Sequence, residues 1–195
     1  MGRKKLSDEQ RAKTKEELFE VSRKMIDEEG IDNLNIRDLC KKVGISYSSF
    51  YEYYENKDYL IAARVDLIDD FFKENEKEYL SSSDFNENLR NYIILYSKFA
   101  QSKNIEIVRE IYRMQVYNII DYDRYYNRPM IKILEGIIKD GIRSGQVSED
   151  VPINNIIRMI ISICRSTVID WCFSNNEYNI VEFSENIVNY IDFKF

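Results

Sequence analysis

Residues 44–54, in the order GISYSSFYEYY, carry five aromatic rings and three serine hydroxyls. Phenol and serine hydroxyls can donate to phosphate oxygens and can also bond to base edges, so this composition suits a surface that contacts nucleic acid. A β-strand and a buried aromatic cluster are the two simpler interpretations, since tyrosine and phenylalanine favour strands. The elements that surround the segment must decide among the three.

Most catalytic and metal-binding chemistry is excluded by what the chain lacks. Its 195 residues include no histidine, which removes His-centred metal sites and both Ser-His-Asp and Cys-His catalysis. We find no glycine-rich phosphate loop after a strand pattern and no carboxylate cluster at ligand spacing. A helical enzyme is therefore left without a candidate catalytic residue, and we expect neither a metal nor a cofactor.

Bulk composition favours a helical globular protein. Hydrophobic residues make up 44% and charged residues 32%, with only two prolines and six glycines. The net charge of −6 gives no overall reason to expect nucleic acid, but residues 1–15 have four more basic than acidic side chains. The cysteines Cys40, Cys164 and Cys172 show no paired spacing, and we see neither an apolar leader nor a membrane-length apolar run. We expect a soluble, cytoplasmic protein.

Apolar spacing predicts three helices around the tyrosine-rich segment. Leu18, Val21 and Met25 repeat at three- and four-residue intervals, which predicts a helix from Ser7 to about residue 29, ended by Gly30. Asn35 can cap a short second helix, which should stop before Gly44. Its apolar face consists of Ile36, Leu39, Cys40 and Val43.

Ser46 is a second capping candidate, and the flanking helices favour a helix from Tyr47 to about Tyr53. At about 100° per residue, Phe50 and Tyr54 would face the core while Ser48 and Glu52 lie opposite. The hydroxyl-rich side would then face solvent.

The rest of the chain also has helical periodicity, so the predicted fold is all-α with about nine helices. A long helix starts near Lys57 and ends before the polar triplet Ser81, Ser82 and Ser83, which we take as a domain boundary. Further helices are predicted at about 84–101, 104–120, 124–143, 152–174 and 179–192, with Pro129 starting or kinking one of them. The predicted divisions are 1–56, 57–83 as a bridging helix, and 84–195.

Two short helices joined by Val43-Gly44-Ile45-Ser46 have helix-turn-helix spacing. In residue identity and spacing the segment resembles the amino-terminal domain of the TetR family of bacterial transcription regulators. The resemblance is carried by Leu18, Gly30, Leu34, Ile36, Asp38, Leu39, Val43, Gly44, Ile45, Ser46, Phe50, Tyr51, Tyr54, Asn56, Lys57 and Leu60. It implies a sequence-specific DNA-binding regulator, most simply a ligand-released repressor that binds a palindromic operator as a homodimer. The alternative is a helical adaptor or ligand-binding protein that has lost DNA binding, an interpretation that Glu52 supports because its carboxylate would repel phosphates.

The resemblance also implies roles for individual residues. Phosphate contacts are expected from Tyr51, Tyr53, Lys57 and Lys15, and base contacts from Tyr47, Ser48 and Ser49. Ser46, at the start of the same helix, is also expected to contact DNA. Arg37 could read a guanine, or it could form a salt bridge with Asp38 or Glu52.

Two further sets belong to the expected helical ligand-binding and dimerisation domain. The predicted effector pocket, for a small molecule of unknown identity, draws on Tyr92, Tyr96, Phe99, Arg109, Tyr112, Arg113, Tyr117, Met130, Leu134 and Trp171. The predicted dimer interface, a four-helix bundle made by the last two helices of each subunit, consists of Ile157, Ile160, Ile161, Cys164, Val168, Ile187 and Ile191.

Overall fold

The structure is a computed structural model that describes residues 7–30, 33–57, 60, 66–116, 126–191 and 193–195. Nine helices have both ends within the described residues, which contain no β-strand. The chain divides into two compact units, residues 1–64 and 65–195. The all-α prediction is confirmed.

The first unit contains α1 (Asp8–Glu29), α2 (Ile36–Val43) and α3 (Tyr47–Phe50). The two predicted caps form: Asn35 accepts from the Arg37 backbone, and Ser46 accepts from the Ser49 backbone. At the start of α1, Ser7 and Gln10 make a capping box that was not predicted. Each cap satisfies amide groups that would otherwise lack an intrahelical partner. Leu18, Met25, Leu39, Phe50, Tyr54 and Leu60 are among the residues that form the buried core of this unit.

Gly44 separates α2 from α3 in a left-handed conformation, with φ 77° and ψ 28°. Its amide donates to the Cys40 and Lys41 carbonyls, and the Ile45 amide also donates to Cys40. A side chain is strained at this positive φ, which is why glycine suits the turn of the helix-turn-helix.

α3 is shorter than predicted. It ends at Phe50, and residues 51–53 continue as turns in which the Glu52 and Tyr53 amides donate three residues back, to Ser49 and Phe50. Such tighter bonds are common where a helix ends. The segment is nevertheless helical rather than extended, so the strand interpretation is wrong.

The second unit contains α4 (Asp66–Tyr79), α5 (Phe85–Gln101), α6 (Ile105–Val116), α7 (Pro129–Arg143), α8 (Ile153–Phe173) and α9 (Ile180–Tyr190). The central helix is α5, which packs against the other five. Its Leu89, Tyr92, Ile93 and Leu95 are fully buried. A helix that is apolar on several sides is expected at the centre of a bundle.

Several predicted boundaries need correction. Ser81–Ser83 is not a boundary between compact units, because α4 packs on α5 and α7 within residues 65–195. The helix predicted from residue 124 begins at Pro129, since a residue before proline disfavours helical dihedrals and Arg128 is extended at φ −71° and ψ 147°. Two predictions lie outside the described residues: the continuity of the bridging helix through 58–59 and 61–65, and the helix end at 117–120.

Within the described ranges, no helix is both long enough and apolar enough to span a bilayer.

Candidate nucleic-acid interface and helical-domain cavity

Three serine hydroxyls form a short hydrogen-bonded network at the start of α3. Ser46 Oγ accepts from the Ser49 amide at 3.1 Å and lies 2.9 Å from Ser48 Oγ and 2.8 Å from Ser49 Oγ. Ser46 therefore holds the helix end, whereas Ser48 is an exposed hydroxyl at the beginning of the helix. A hydroxyl keeps both a donor and two acceptor positions, so Ser48 can still bond to an outside group.

Tyr47 and Tyr51 form an exposed pair on the outer side of α3. Their hydroxyls lie 2.7 Å apart and their rings meet edge to face at 5.3 Å, while 45% and 48% of the two residues remain accessible. The hydrogen bond with Tyr47 raises the pKa of Tyr51. The Tyr51 ring also packs edge to face on the fully buried Phe50. Two phenols are thus presented to solvent, and their position is fixed by the contact between Tyr51 and the buried Phe50.

Arg37 extends this surface from α2. Its guanidinium carbon lies 5.5 Å from the centroid of the Tyr47 ring, and the side chain is exposed. Asp38 pairs with Lys41 at 2.9 Å, and Arg37 makes no ion pair to any described residue. The salt-bridge alternative for Arg37 is therefore wrong for Asp38 and Glu52.

The other predicted DNA-contacting residues differ in exposure. Lys15 is exposed, with its Nζ 5.5 Å from the Tyr54 ring, and the Tyr54 hydroxyl donates to the Lys15 carbonyl at 3.4 Å. Tyr53 and Lys57 are half-buried. This unit thus presents hydroxyl and cationic groups suited to an anionic backbone and to base edges.

Comparison with known families gives this surface its context. Residues 18–63 match the model of bacterial regulatory proteins of the tetR family, and residues 66–192, more than half of the chain, match that of the YsiA-like protein, C-terminal region. The chain belongs to the TetR family. Members of this family are DNA-binding transcriptional regulators, and so is this protein in its general function.

Individual relatives agree with the TetR-family assignment over nearly the whole chain. The fatty acid metabolism regulator protein of Bacillus subtilis is 23% identical over 177 residues, covering 88% of this chain and 90% of the relative. The fatty acid degradation regulator FadR from Bacillus halodurans superposes with a TM-score of 0.65 at 12% identity, covering 95% of each chain. FadR from Bacillus subtilis in complex with stearoyl-CoA gives 0.60 at 19% identity, covering 89% of this chain and 95% of that one.

A small cavity lies in the second unit of this TetR-family chain. It has a volume of about 30 Å³ and is lined mainly by apolar side chains, together with two phenols and one guanidinium. The lining residues are Ile68, Tyr96, Phe99, Ala100, Val108, Ile111, Tyr112, Arg128 and Val168. This space is about the volume of one water molecule in the liquid, far below the several hundred Å³ of a ligand pocket. An effector bound there needs the surrounding helices to separate.

Arg128, which lines the cavity, forms a buried ion pair with Asp69 that joins α4 to the start of α7. Arg128 Nε donates to Asp69 at 2.9 Å, and only 8% and 7% of the two side chains are accessible. The other Asp69 oxygen accepts from the Met130 amide at 3.2 Å. Because Arg128 provides no side-chain cap to α7, the Asp69 carboxylate performs that role from another helix.

Neither Asp69 nor Arg128 stands out in the sequence as a site residue. One signal was available for each of them. Asp69 lies three residues before the fully buried Phe72, on the apolar side of α4, and Arg128 directly precedes the proline that starts α7. A buried carboxylate requires a partner, and a helix start supplies one.

Three members of the predicted pocket set line this cavity. Tyr96, Phe99 and Tyr112 line the cavity, and the Tyr96 and Tyr112 hydroxyls lie 3.3 Å apart. Burial raises the pKa of Tyr96, so this phenol stays neutral. Among the other described members, Trp171 lines a different and more open cavity of about 390 Å³. Neither cavity is lined by Tyr92, Met130, Leu134, Arg109 or Arg113.

Each of these remaining residues has another role. Tyr92, Met130 and Leu134 are packed core, and the Tyr92 hydroxyl donates to the Met130 carbonyl at 3.0 Å. Arg109 donates to the Cys172 carbonyl at the end of α8, where a cation complements the helix dipole.

Trp171 donates to the Tyr178 carbonyl, Arg113 pairs with Glu110, and Tyr117 lies outside the described residues.

The predicted dimer interface also needs correction. Ile157, Ile160, Ile161, Cys164 and Val168 are each at most 3% accessible within a single chain, so they form the subunit's own core. They leave no surface for a second subunit to cover. Ile187 and Ile191 are half-buried, and Ile191 packs against the same core.

Exposed apolar side chains of α8 and α9 lie elsewhere on these helices. Met159 and Phe183 are each 38% accessible, and Phe173 and Tyr190 are more exposed still. We call Met159, Phe173, Phe183 and Tyr190 the outer apolar set. Apolar groups on the outer side of two neighbouring helices are a common feature of protein association surfaces.

Proposed function

We propose that this protein is a ligand-released repressor that binds a palindromic operator as a homodimer. The observation that carries the proposal is the exposed hydroxyl side of α3, where Tyr47, Ser48 and Tyr51 remain accessible while Phe50 anchors the helix. A helix presented in this way after a left-handed turn can enter the major groove. Tyr51, Tyr53, Lys57 and Lys15 then contact phosphates, while Ser48, Ser49 and Arg37 contact bases.

Dimerisation is supported by the short reading surface of a single α3 and by the outer apolar set. One recognition helix contacts only a few base pairs, and a two-fold dimer places two such helices about 34–36 Å apart, or a multiple of that distance. In this proposal the outer apolar set replaces the buried residues as the centre of the interface. Isologous contact between α8 and α9 of two subunits would cover it.

Selection of DNA from a random pool by the full-length protein tests this part of the proposal. We expect enrichment of an inverted repeat whose binding weakens steeply with salt, since phosphate contacts release counterions. Tyr51→Ala and Lys57→Ala should each reduce retention of the selected duplex, whereas Lys139→Ala, in the second unit, should not. Recovery of no preferred sequence, with salt-insensitive binding, would overturn the proposal in favour of the adaptor alternative.

We further propose that the effector is a long-chain acyl compound that enters the cavity walled by Tyr96, Phe99 and Tyr112. The mainly apolar lining supports this, as do the relatives named as fatty acid regulators and the FadR complex with stearoyl-CoA. Since the cavity is nearly closed, the effector would stabilise a minor state with separated helices. Release of DNA follows if that state binds the operator less well.

Titration of the protein–DNA complex with stearoyl-CoA tests the effector, with free coenzyme A as the control. We expect release by the acyl compound only. Ala100→Leu fills the cavity from α5 and should weaken the response without changing DNA affinity in the absence of ligand. Equal release by both compounds, or full sensitivity of Ala100→Leu, would exclude this cavity as the acyl site.

A further inference from the structure

We propose that Tyr47 is a positioning residue that holds Arg37 against the face of its ring, so that each operator half-site contains a guanine read by Arg37. This inference rests on the proposed DNA-binding function. It changes the expected role of Tyr47, from a base contact of its own to a support for another residue. It also predicts one base of an unidentified operator.

Two contacts with Tyr51 hold the Tyr47 ring in place. Its hydroxyl is bonded to that of Tyr51 at 2.7 Å, and its ring meets the Tyr51 ring edge to face. The Tyr51 ring in turn packs against Phe50, which is fully buried. The Tyr47 ring is therefore a pre-oriented platform, although nearly half of the residue remains accessible to solvent.

Arg37 approaches this platform from a different helix. The guanidinium carbon is 5.5 Å from the ring centroid, within the range of a cation–π contact. The contact therefore ties an α2 side chain to α3, the helix proposed to enter the major groove. A side chain held in this way loses less conformational freedom on binding than a freely moving one.

The N–H donors of a guanidinium lie in its own plane, so contact with a ring through the guanidinium face leaves them available to other acceptors. This planar fork matches the O6 and N7 acceptors of guanine, which arginine can bind in a bidentate manner. The neighbouring carboxylate of Asp38 is engaged by Lys41, so it does not draw Arg37 away from the ring. An exposed arginine without an ion pair among the described residues is consistent with a base-reading role.

The test begins with the duplex selected by the full-length protein. The conserved guanine of each half-site is replaced by 7-deazaguanine, which pairs with cytosine but lacks N7. The sensitivity is the ratio of the Kd for the modified duplex to that for the unmodified duplex, measured by fluorescence anisotropy at one salt concentration. We expect at least about fivefold for the wild-type protein, the lower end of base discrimination by a bidentate pair.

Variants separate the two roles. Arg37→Ala should abolish the sensitivity, and Tyr47→Leu should lower it by about two- to fivefold, the strength of an exposed cation–π contact. Tyr47→Phe keeps the ring and its edge-to-face contact with Tyr51 but not the hydroxyl bond, so it should lose less sensitivity than Tyr47→Leu. Tyr47→Gln gives a second variant without the ring if Tyr47→Leu folds poorly by circular dichroism. The matched control is Lys98→Ala, which removes a cation that lies 4.1 Å from the Tyr79 ring in the other unit, and it should change nothing.

Each unfavourable outcome has a distinct meaning. Wild-type sensitivity in both Tyr47→Leu and Tyr47→Gln would overturn the positioning role, as would a loss in Tyr47→Phe as large as that in Tyr47→Leu. A selected operator without guanine, or one whose guanine stays sensitive in Arg37→Ala, would overturn the reading role. Failure to select any sequence would instead count against the proposed function itself.

Discussion

The two units of the chain hold their polar side chains in different ways. In the first unit the bonds of α3 join near neighbours in the sequence, and the groups remain at the surface; the pairs are Ser46 with Ser49 and Tyr47 with Tyr51. The second unit, besides its surface ion pairs, contains buried polar groups that pair over long separations. Examples are Asp69 with Arg128, Tyr92 with the Met130 carbonyl, and Ser97 with Ser184 at 2.6 Å.

Because of this difference, we expect similar substitutions to have different effects in the two units. A surface hydroxyl or cation is in contact with water in both the folded and the unfolded chain. Its removal should therefore change DNA binding more than stability. A buried group has already lost its water, and removing its partner leaves a desolvation cost without compensation. The first unit should therefore respond mainly in affinity and the second mainly in folding.

The largest expected effect is at the buried ion pair. Asp69→Ala should destabilise the second unit by about 3–5 kcal/mol, because it leaves the Arg128 guanidinium buried without its carboxylate. The matched control is Asp70→Ala, next to it on α4, whose carboxylate pairs with Lys73 at the exposed surface at 3.0 Å. Loss of that pair should cost at most about 1 kcal/mol. Urea denaturation followed by circular dichroism measures both.

A double replacement sharpens the same comparison. Asp69→Leu combined with Arg128→Met removes both charges and should recover much of the lost stability, since apolar residues of similar volume often replace buried ion pairs at little cost. Equal destabilisation by Asp69→Ala and Asp70→Ala would contradict the distinction between buried and surface pairs in this unit.

A somewhat smaller effect is expected for an exposed residue of the second unit, Met159 of the outer apolar set. Met159→Glu should weaken dimerisation by about 2–3 kcal/mol, or roughly 30- to 140-fold, because a carboxylate would be buried at the interface without a partner. Val116→Glu is the control, since Val116 is 75% accessible and lies at the end of α6. Light scattering across a concentration series measures the dimer constant. An unchanged constant for Met159→Glu would place the interface elsewhere.

The features that the sequence predicted correctly depend on near neighbours in the chain, as the polar contacts of α3 do. Asn35 and Ser46 were predicted as caps, and Gly44 as the residue before which α2 ends, because each of these signals depends on residues within about four positions. The side of α3 that is buried was predicted from helical spacing, as Phe50 and Tyr54 show.

Long-range partners could not be predicted in this way. Arg109 has the right residue type for an anionic pocket, but it pairs with Glu106, three residues away, and also donates to the Cys172 carbonyl, 63 residues away. Only the second of these partners depends on how the helices pack. Ile157 and Ile160 form an apolar stripe that fits an internal core as well as a dimer interface, and one sequence does not distinguish the two. The pairing of Asp69 with Arg128 likewise requires knowledge of which helices are neighbours.

A smaller effect tests whether the serine cluster of the first unit has two separable roles. Ser46→Ala should destabilise that unit by about 1 kcal/mol, because it removes the side-chain oxygen that caps α3. Ser48→Ala, two residues later and exposed, should change stability by less than about 0.5 kcal/mol. At a temperature where both variants are fully folded, Ser48→Ala should weaken DNA binding more than Ser46→Ala does. Thermal unfolding and anisotropy together decide, and equal stability loss in both variants would mean that Ser48 is also a structural residue.

The smallest expected effect concerns the phenol pair on α3. The hydrogen bond with Tyr47 is the largest cause that raises the pKa of Tyr51, so Tyr47→Phe should lower the pKa of Tyr51 towards its ordinary value of about 10. Nuclear magnetic resonance of ring-labelled tyrosine, with Tyr51→Phe used to assign the signal, measures the titration. Because the pKa of Tyr51 is not lowered below its ordinary value in either protein, Tyr51 is neutral near pH 7 in both, and DNA affinity at that pH should not follow this shift. An unchanged pKa in Tyr47→Phe would show that the two hydroxyls are not bonded in solution, and the Tyr47 ring would then have lost one of its two supports.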